Sequence, residues 1–182
     1  MDNKEKAFSE WLVLRCQQGQ RQALKPLLEM WQARYLAYIQ QRLGDPDSAR
    51  DVLQEALLAI CRNLYKLQDP ASFPRWSFTI VERRCLDQLR RRYRHRQVFA
   101  DSNSEVEQSA PHNPEAALDS SRLLARLPGE LASLLRLYYL EGLSLPEIAG
   151  IQNIPRGTVK SRLFYARKKL QKLLEEEDER TR

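Results

Sequence analysis

The stretch GLSLPEIAGIQNIPRGTVKSRLFYARKKL, residues 142–170, decides the fold of its half of the chain. Gly142 stands where a helix end needs a left-handed residue. Ser144-Leu145-Pro146-Glu147 has the form of a capping box, in which serine and glutamate satisfy each other's backbone N–H groups. A short helix over 145–152 follows, stopped at Asn153, one of the few residues that tolerate positive φ. A longer helix is predicted from about Pro155 to at least Leu174. Short helix, tight turn and long basic helix together make a helix-turn-helix.

The last helix divides into two faces. Val159, Leu163, Ala166, Leu170 and Leu173 fall on one side as core. Arg156, Thr158, Lys160, Ser161, Arg162, Tyr165, Lys168, Lys169 and Lys172 supply the polar and basic remainder. Short hydroxyls and an arginine near the start suit base edges, and the lysines beyond suit phosphates. A merely solvated basic face is the plain alternative. The capped turn in front of it favours DNA.

Upstream, Leu123–Leu127 closes a short helix at Pro128, and Glu130–Glu141 reads as another. Before them, residues 97–121 hold no Lys or Arg and five acids, together with Pro111 and Pro114. Low hydrophobicity, prolines and one-sided charge mark a flexible linker. Residues 75–96 carry eight arginines against Glu82 and Asp87, and residues 156–172 carry seven basic residues and no acid. The expected organisation is all-α: one helical domain over 1–96, an acidic linker over 97–121 and a helix-turn-helix domain over 122–182. Two basic blocks, each closing a domain, form the electrostatic footprint of a nucleic-acid binder.

The first domain reads as helices over 7–18, 21–43 and 47–64, with breaks at Gly19 and Gly44-Asp45-Pro46. In the third of these, Ala49, Val52, Leu53, Ala56, Leu57, Ile60 and Leu64 recur at helical spacing and define a buried face. Asp51, Gln54, Glu55 and Arg62 lie opposite, with Leu58 among them. Leu58 is either a stray exposed leucine or the anchor of a protein contact, and spacing does not choose. After LQDPAS, Ser72 is placed to cap a helix with Pro74 in its first turn. That helix carries Phe73, Trp76 and Phe78 at one end and Arg83, Arg84, Asp87, Arg90 and Arg91 farther along. Phe73 and Phe78 suit a core. Trp76 beside arginines suits a platform for unstacked bases.

Composition narrows the function. The 182 residues include 30 Lys and Arg against 24 Asp and Glu, a net charge of +6, and only six Gly and two His. No Gly-rich phosphate loop, metal-ligand spacing or long apolar span is visible, and the first residues do not resemble a secretory signal. No cofactor, no enzymatic activity and no membrane insertion are expected, and a cytoplasmic location is. Cys16, Cys61 and Cys85 are too scattered for a zinc cage and read as apolar fillers.

DVLQEALLAI and FPRWSFTIVERRCLDQLRRRYR resemble the core-binding and promoter-melting segments of bacterial sigma factors. LPGELASLLRLYYLEGLSLPEIAGIQNIPRGTVKSRLFYARKKL resembles their C-terminal helix-turn-helix. The layout is similar to the extracytoplasmic-function group of the sigma-70 family. The resemblance implies that Asp51, Gln54, Glu55 and Leu58 contact core RNA polymerase. It implies that Trp76, Arg83, Arg84, Asp87, Arg90 and Arg91 face the −10 element of promoter DNA. Arg156, Thr158, Lys160, Ser161, Arg162, Tyr165, Lys168 and Lys169 would then face the −35 element. An anti-sigma factor is the further partner it implies. Arg83, Ser77 and Tyr165 stand where the family usually has asparagine, leucine and a basic residue.

A repressor or activator acting without polymerase would explain the helix-turn-helix alone. It leaves the Trp76 helix and the Asp51/Gln54/Glu55 face without a use.

Overall fold

The computed structural model describes residues 3–99 and 123–181, and those residues contain helices and turns but no strand. Residues 97–99 of the expected linker are helical, and the rest of it, 100–121, lies outside the described residues. The helices are α1 (Asn3–Gln17), α2 (Leu24–Leu43), α3 (Pro46–Asn63), α4 (Phe73–Phe99), α5 (Gly129–Leu135), α6 (Leu145–Gln152) and α7 (Arg156–Thr181).

Local chemistry sets most of the helix ends. Gly44 closes α2 at φ 66°, its N–H bonded to the Gln40 carbonyl, which a residue with a Cβ would resist. Asp45 then caps α3 by accepting from the Asp47 N–H at 3.1 Å, with Pro46 at the first helical position. Ser72 does not cap α4 as expected. Asp69 takes the capping role one turn earlier, accepting from the Ala71 N–H at 3.1 Å and from the Ser72 hydroxyl at 2.7 Å. A carboxylate is the stronger acceptor, and it draws the serine into a 3-10 turn over Pro70–Ser72.

Trp31, Tyr35 and Tyr38 of α2 meet Phe73 and Phe78 of α4 in a buried aromatic centre. Its edge-to-face pairs have ring centroids 5.3–6.2 Å apart, and each is worth roughly 0.5–1.5 kcal/mol beyond burial. Ala49, Val52, Ala56 and Ile60 present the expected α3 stripe to this core. The Trp31 indole donates to the Ser9 hydroxyl at 2.9 Å, tying α1 in place. Glu82 is buried and fully engaged: Tyr38 donates to it at 2.8 Å, and Arg42 pairs with it at 2.8 Å. Burial pushes the Tyr38 hydroxyl well above its ordinary range.

In the C-terminal half, Leu134, Leu137, Ile148, Val159, Leu163 and Ala166 form the centre. The helix expected over Glu130–Glu141 is α5 followed by one wide turn, Arg136–Leu140, where the Glu141 N–H reaches the Arg136 carbonyl. That extra residue rotates Glu141 inward, as such bulges do. The halves meet chiefly where α5 packs on α2 and α6 packs on α4.

Candidate nucleic-acid interface

The helix-turn-helix forms as its sequence dictates. Glu147 accepts from the Ser144 N–H at 2.8 Å and from the Ser144 hydroxyl at 2.6 Å. Gly142 sits at φ 68° and Asn153 at φ 51°, both left-handed. Val159, Leu163 and Ala166 are buried, and Leu170 and Leu173 lean against the core. That places Arg156, Lys160, Ser161, Tyr165, Lys168 and Lys169 on the exposed side of α7, with Thr158 and Arg162 half-buried. The side chain of Arg162 is paired with Glu130 of α5 at 3.2 Å. Arg167 is drawn aside, its guanidinium 5.9 Å and 5.6 Å from the Tyr138 and Tyr139 ring centres. It braces the domain by cation–π contact.

On α4, Trp76 is half-buried, 6.0 Å from Phe73 by ring centres, with Phe73 and Phe78 inside. The indole therefore takes part in the core and still reaches the surface. Arg83 and Arg90 are exposed, and Arg84, Asp87 and Arg91 line the same helix, Asp87 pairing with Arg90 at 3.6 Å. Arg92, from the same basic block, serves the scaffold: it donates to the Leu43 carbonyl at 3.0 Å and pairs with Asp45, locking α4 to the α2–α3 turn.

On α3, Asp51 and Gln54 are exposed and Leu58 is 55% exposed. Glu55 faces across to α4, within 3.6 Å of Arg91 and 4.0 Å of Arg84. The carboxylate face of α3 and the arginine face of α4 thus form one continuous surface.

Sequence reasoning missed Glu130, Arg42 and Arg92. Nothing local marks them, since their partners lie 32 to 49 residues away or in the other domain. Among the described residues no group of three His, Cys, Asp or Glu side chains could hold a metal ion, and no helix is long and apolar enough to cross a membrane.

The comparisons with known proteins fall on these same two halves. Residues 27–95 match the family described as sigma-70 region 2, and residues 121–170 match sigma-70, region 4. The chain is 37% identical over 144 residues to an ECF RNA polymerase sigma factor, SigL, of Mycobacterium tuberculosis, covering 76% of this chain and 81% of that protein. It is 31% identical over 179 residues to the RNA polymerase sigma-H factor of Pseudomonas aeruginosa, covering 90% and 92%. Among solved structures it is similar to the sigma factor RpoE of Bartonella quintana, crystallised with the anti-sigma factor NepR. The TM-score is 0.67 at 26% identity, over 83% of this chain and 96% of that one.

Proposed function

This chain belongs to the sigma-70 family, in its extracytoplasmic-function group, and we propose that its two basic helices divide promoter recognition between them. The chain is a transcription initiation factor that binds core RNA polymerase and directs it to specific promoters. Asp51, Gln54, Glu55 and Leu58 on α3 form the polymerase-facing patch. The exposed leucine is the anchor and the polar residues set orientation. Trp76 with Arg83, Arg84, Asp87, Arg90 and Arg91 on α4 receives the −10 element. The indole face offers a stacking surface for an unpaired base, and the arginines hold the strand's phosphates. Arg156, Thr158, Lys160, Ser161, Arg162, Tyr165, Lys168 and Lys169 on α7 receive the −35 element as duplex, base edges near the helix start and phosphates beyond.

The observation that carries this reading is the shared surface of α3 and α4. Glu55 sits against Arg84 and Arg91, so a protein docked on α3 abuts the helix that would take the melted strand. A repressor acting without polymerase has no use for that adjacency. An anti-sigma factor is the regulatory partner, by extension from the Bartonella relative, and the site of action is the cytoplasm, with no enzymatic step of the chain's own.

Transcription in vitro with core polymerase on a promoter library tests the proposal. Start sites are expected that core polymerase alone does not give. No new start sites at saturating protein would sink it, and duplex binding without them would favour the repressor.

A further inference from the structure

Cysteines far apart in the sequence do not all stay apart in the fold. At the end of α1, the side-chain amide of Gln17 donates to the Leu64 carbonyl at 3.2 Å and to the Leu67 carbonyl at 2.6 Å. That clamp seats the last turn of α1 against the exit of α3. Cys16 precedes Gln17, and Cys61 lies one turn before Leu64, so the two residues line one cleft of about 240 Å³. Both are half-buried, whereas Cys85 is fully buried in the core. Burial raises the Cys61 thiol above its ordinary value, and burial followed by the neighbouring Cys61 raises Cys16. Two thiolates there would repel each other and lack solvent, and a cation held between them relieves both penalties. Arg21, Leu24 and Leu64 line the same cleft, and its described lining holds no carboxylate and no imidazole.

We propose that Cys16 and Cys61 are the two ligands of a Cu(I) site that ties α1 to the end of α3. Structural zinc asks for four ligands, and among the described residues no group of three His, Cys, Asp or Glu side chains stands together to hold a metal. Cu(I) is a soft ion that thiolates select, and a pair of thiolates completes its coordination. Binding is an exchange without redox change: two S–H bonds break, two Cu–S bonds form, and two protons leave to solvent. The bis-thiolate complex carries one net negative charge, which the Arg21 guanidinium on the cleft wall offsets. Leu24 and Leu64 supply apolar wall around it. Leu58 lies three residues before Cys61 on α3, close enough on a helix to be its neighbour. A bound ion therefore stiffens the helix proposed to face polymerase.

Cu(I) supplied as its bicinchoninate complex to the full-length chain, with oxygen excluded, tests this. One equivalent should transfer to the protein, giving a thiolate-to-copper band in the near ultraviolet and a higher midpoint of thermal unfolding. Cys16→Ser and Cys61→Ser should each bind Cu(I) roughly a hundredfold more weakly, because the remaining thiol has lost its intramolecular partner. Both should lose the thermal shift as well. Cys85→Ala should keep the band and the shift, and an unchanged far-UV signal verifies that each variant is folded. No transfer to the parent chain overturns the site, as does transfer that survives both serine substitutions. Zn(II) held as tightly as Cu(I) overturns the choice of ion. None of these readouts passes through polymerase or DNA, so a failed site leaves the promoter function standing.

Discussion

Glu55 on α3 and Arg91 on α4 stand 3.6 Å apart, with Arg84 reaching the same carboxylate at 4.0 Å. The pair spans the line between the proposed polymerase face and the proposed strand-binding face. It is half-exposed, so it contributes at most about 1 kcal/mol to stability. On the proposed reading, the pair aligns the two surfaces.

Glu55→Ala should accordingly leave the midpoint of denaturant unfolding within about 1 kcal/mol of the parent while weakening both polymerase binding and open-complex formation. Titration against core polymerase and permanganate reactivity at the start site report the two effects. A loss confined to stability would make the pair a scaffold contact only.

Leu58→Glu should be silent for folding, since the side chain is 55% exposed and surface changes stay within about 0.5 kcal/mol. Affinity for core polymerase should fall by about 2 kcal/mol, the scale of an interface anchor. Equal affinity of both proteins in a competition assay would return Leu58 to the class of stray surface leucines.

Glu82→Ala should be among the most destabilising single changes. It removes the shared partner of Tyr38 and Arg42 inside the first domain and leaves a mostly buried guanidinium with only the more distant, exposed Glu130 carboxylate at 3.9 Å, at a cost of about 3 kcal/mol. Thermal unfolding should show a large fall in midpoint. Tyr38→Phe, which loses one hydrogen bond, should cost nearer 1 kcal/mol.

Alkali should destabilise the chain through Cys85. Burial pushes its thiol up to about 12, whereas an unfolded cysteine titrates near 8.5. Between those values the unfolded state has released the proton and the native state has kept it, so stability falls as pH rises. The slope approaches about 1.4 kcal/mol per pH unit. Cys85→Ala should flatten the curve between about pH 9 and 10, below the range of the buried tyrosines. Identical slopes for both proteins would rule the thiol out as the cause.

Trp76→Ala and Arg162→Ala should separate the two DNA sites. The tryptophan variant should retain duplex binding and lose strand opening, with a stability cost from its contact with Phe73. The arginine variant should lose about 1–3 kcal/mol on the best promoter with its specificity relaxed there. Footprinting each on the same promoter distinguishes them. Normal melting by the tryptophan variant would assign that ring wholly to packing.

What the sequence determined by itself was everything governed by neighbours within a turn or two. The α3 stripe of Ala49, Val52, Ala56 and Ile60 follows from 3.6-residue periodicity, and burial bears it out. The Ser144–Glu147 box, the left-handed Gly142 and Asn153 and the inner face of α7 likewise depend on residues close in the chain. Leu58 was legible as exposed in the same way. Tertiary structure decided the matters that depend on distant partners. Arg92 reads as one more cation in a basic block, yet it is committed to Leu43 and Asp45, some 47 to 49 residues earlier. Ser72 lost its expected cap because Asp69 is the stronger acceptor once the turn closes. Glu141 turns inward only because a wide turn adds a residue, and it finds Arg34 across 107 positions. The fate of Glu130, held between Arg42 and Arg162, required two domains to meet. Hydrophobic period and capping are written into short segments. A guanidinium's choice among several carboxylates is settled only when packing brings one of them within reach.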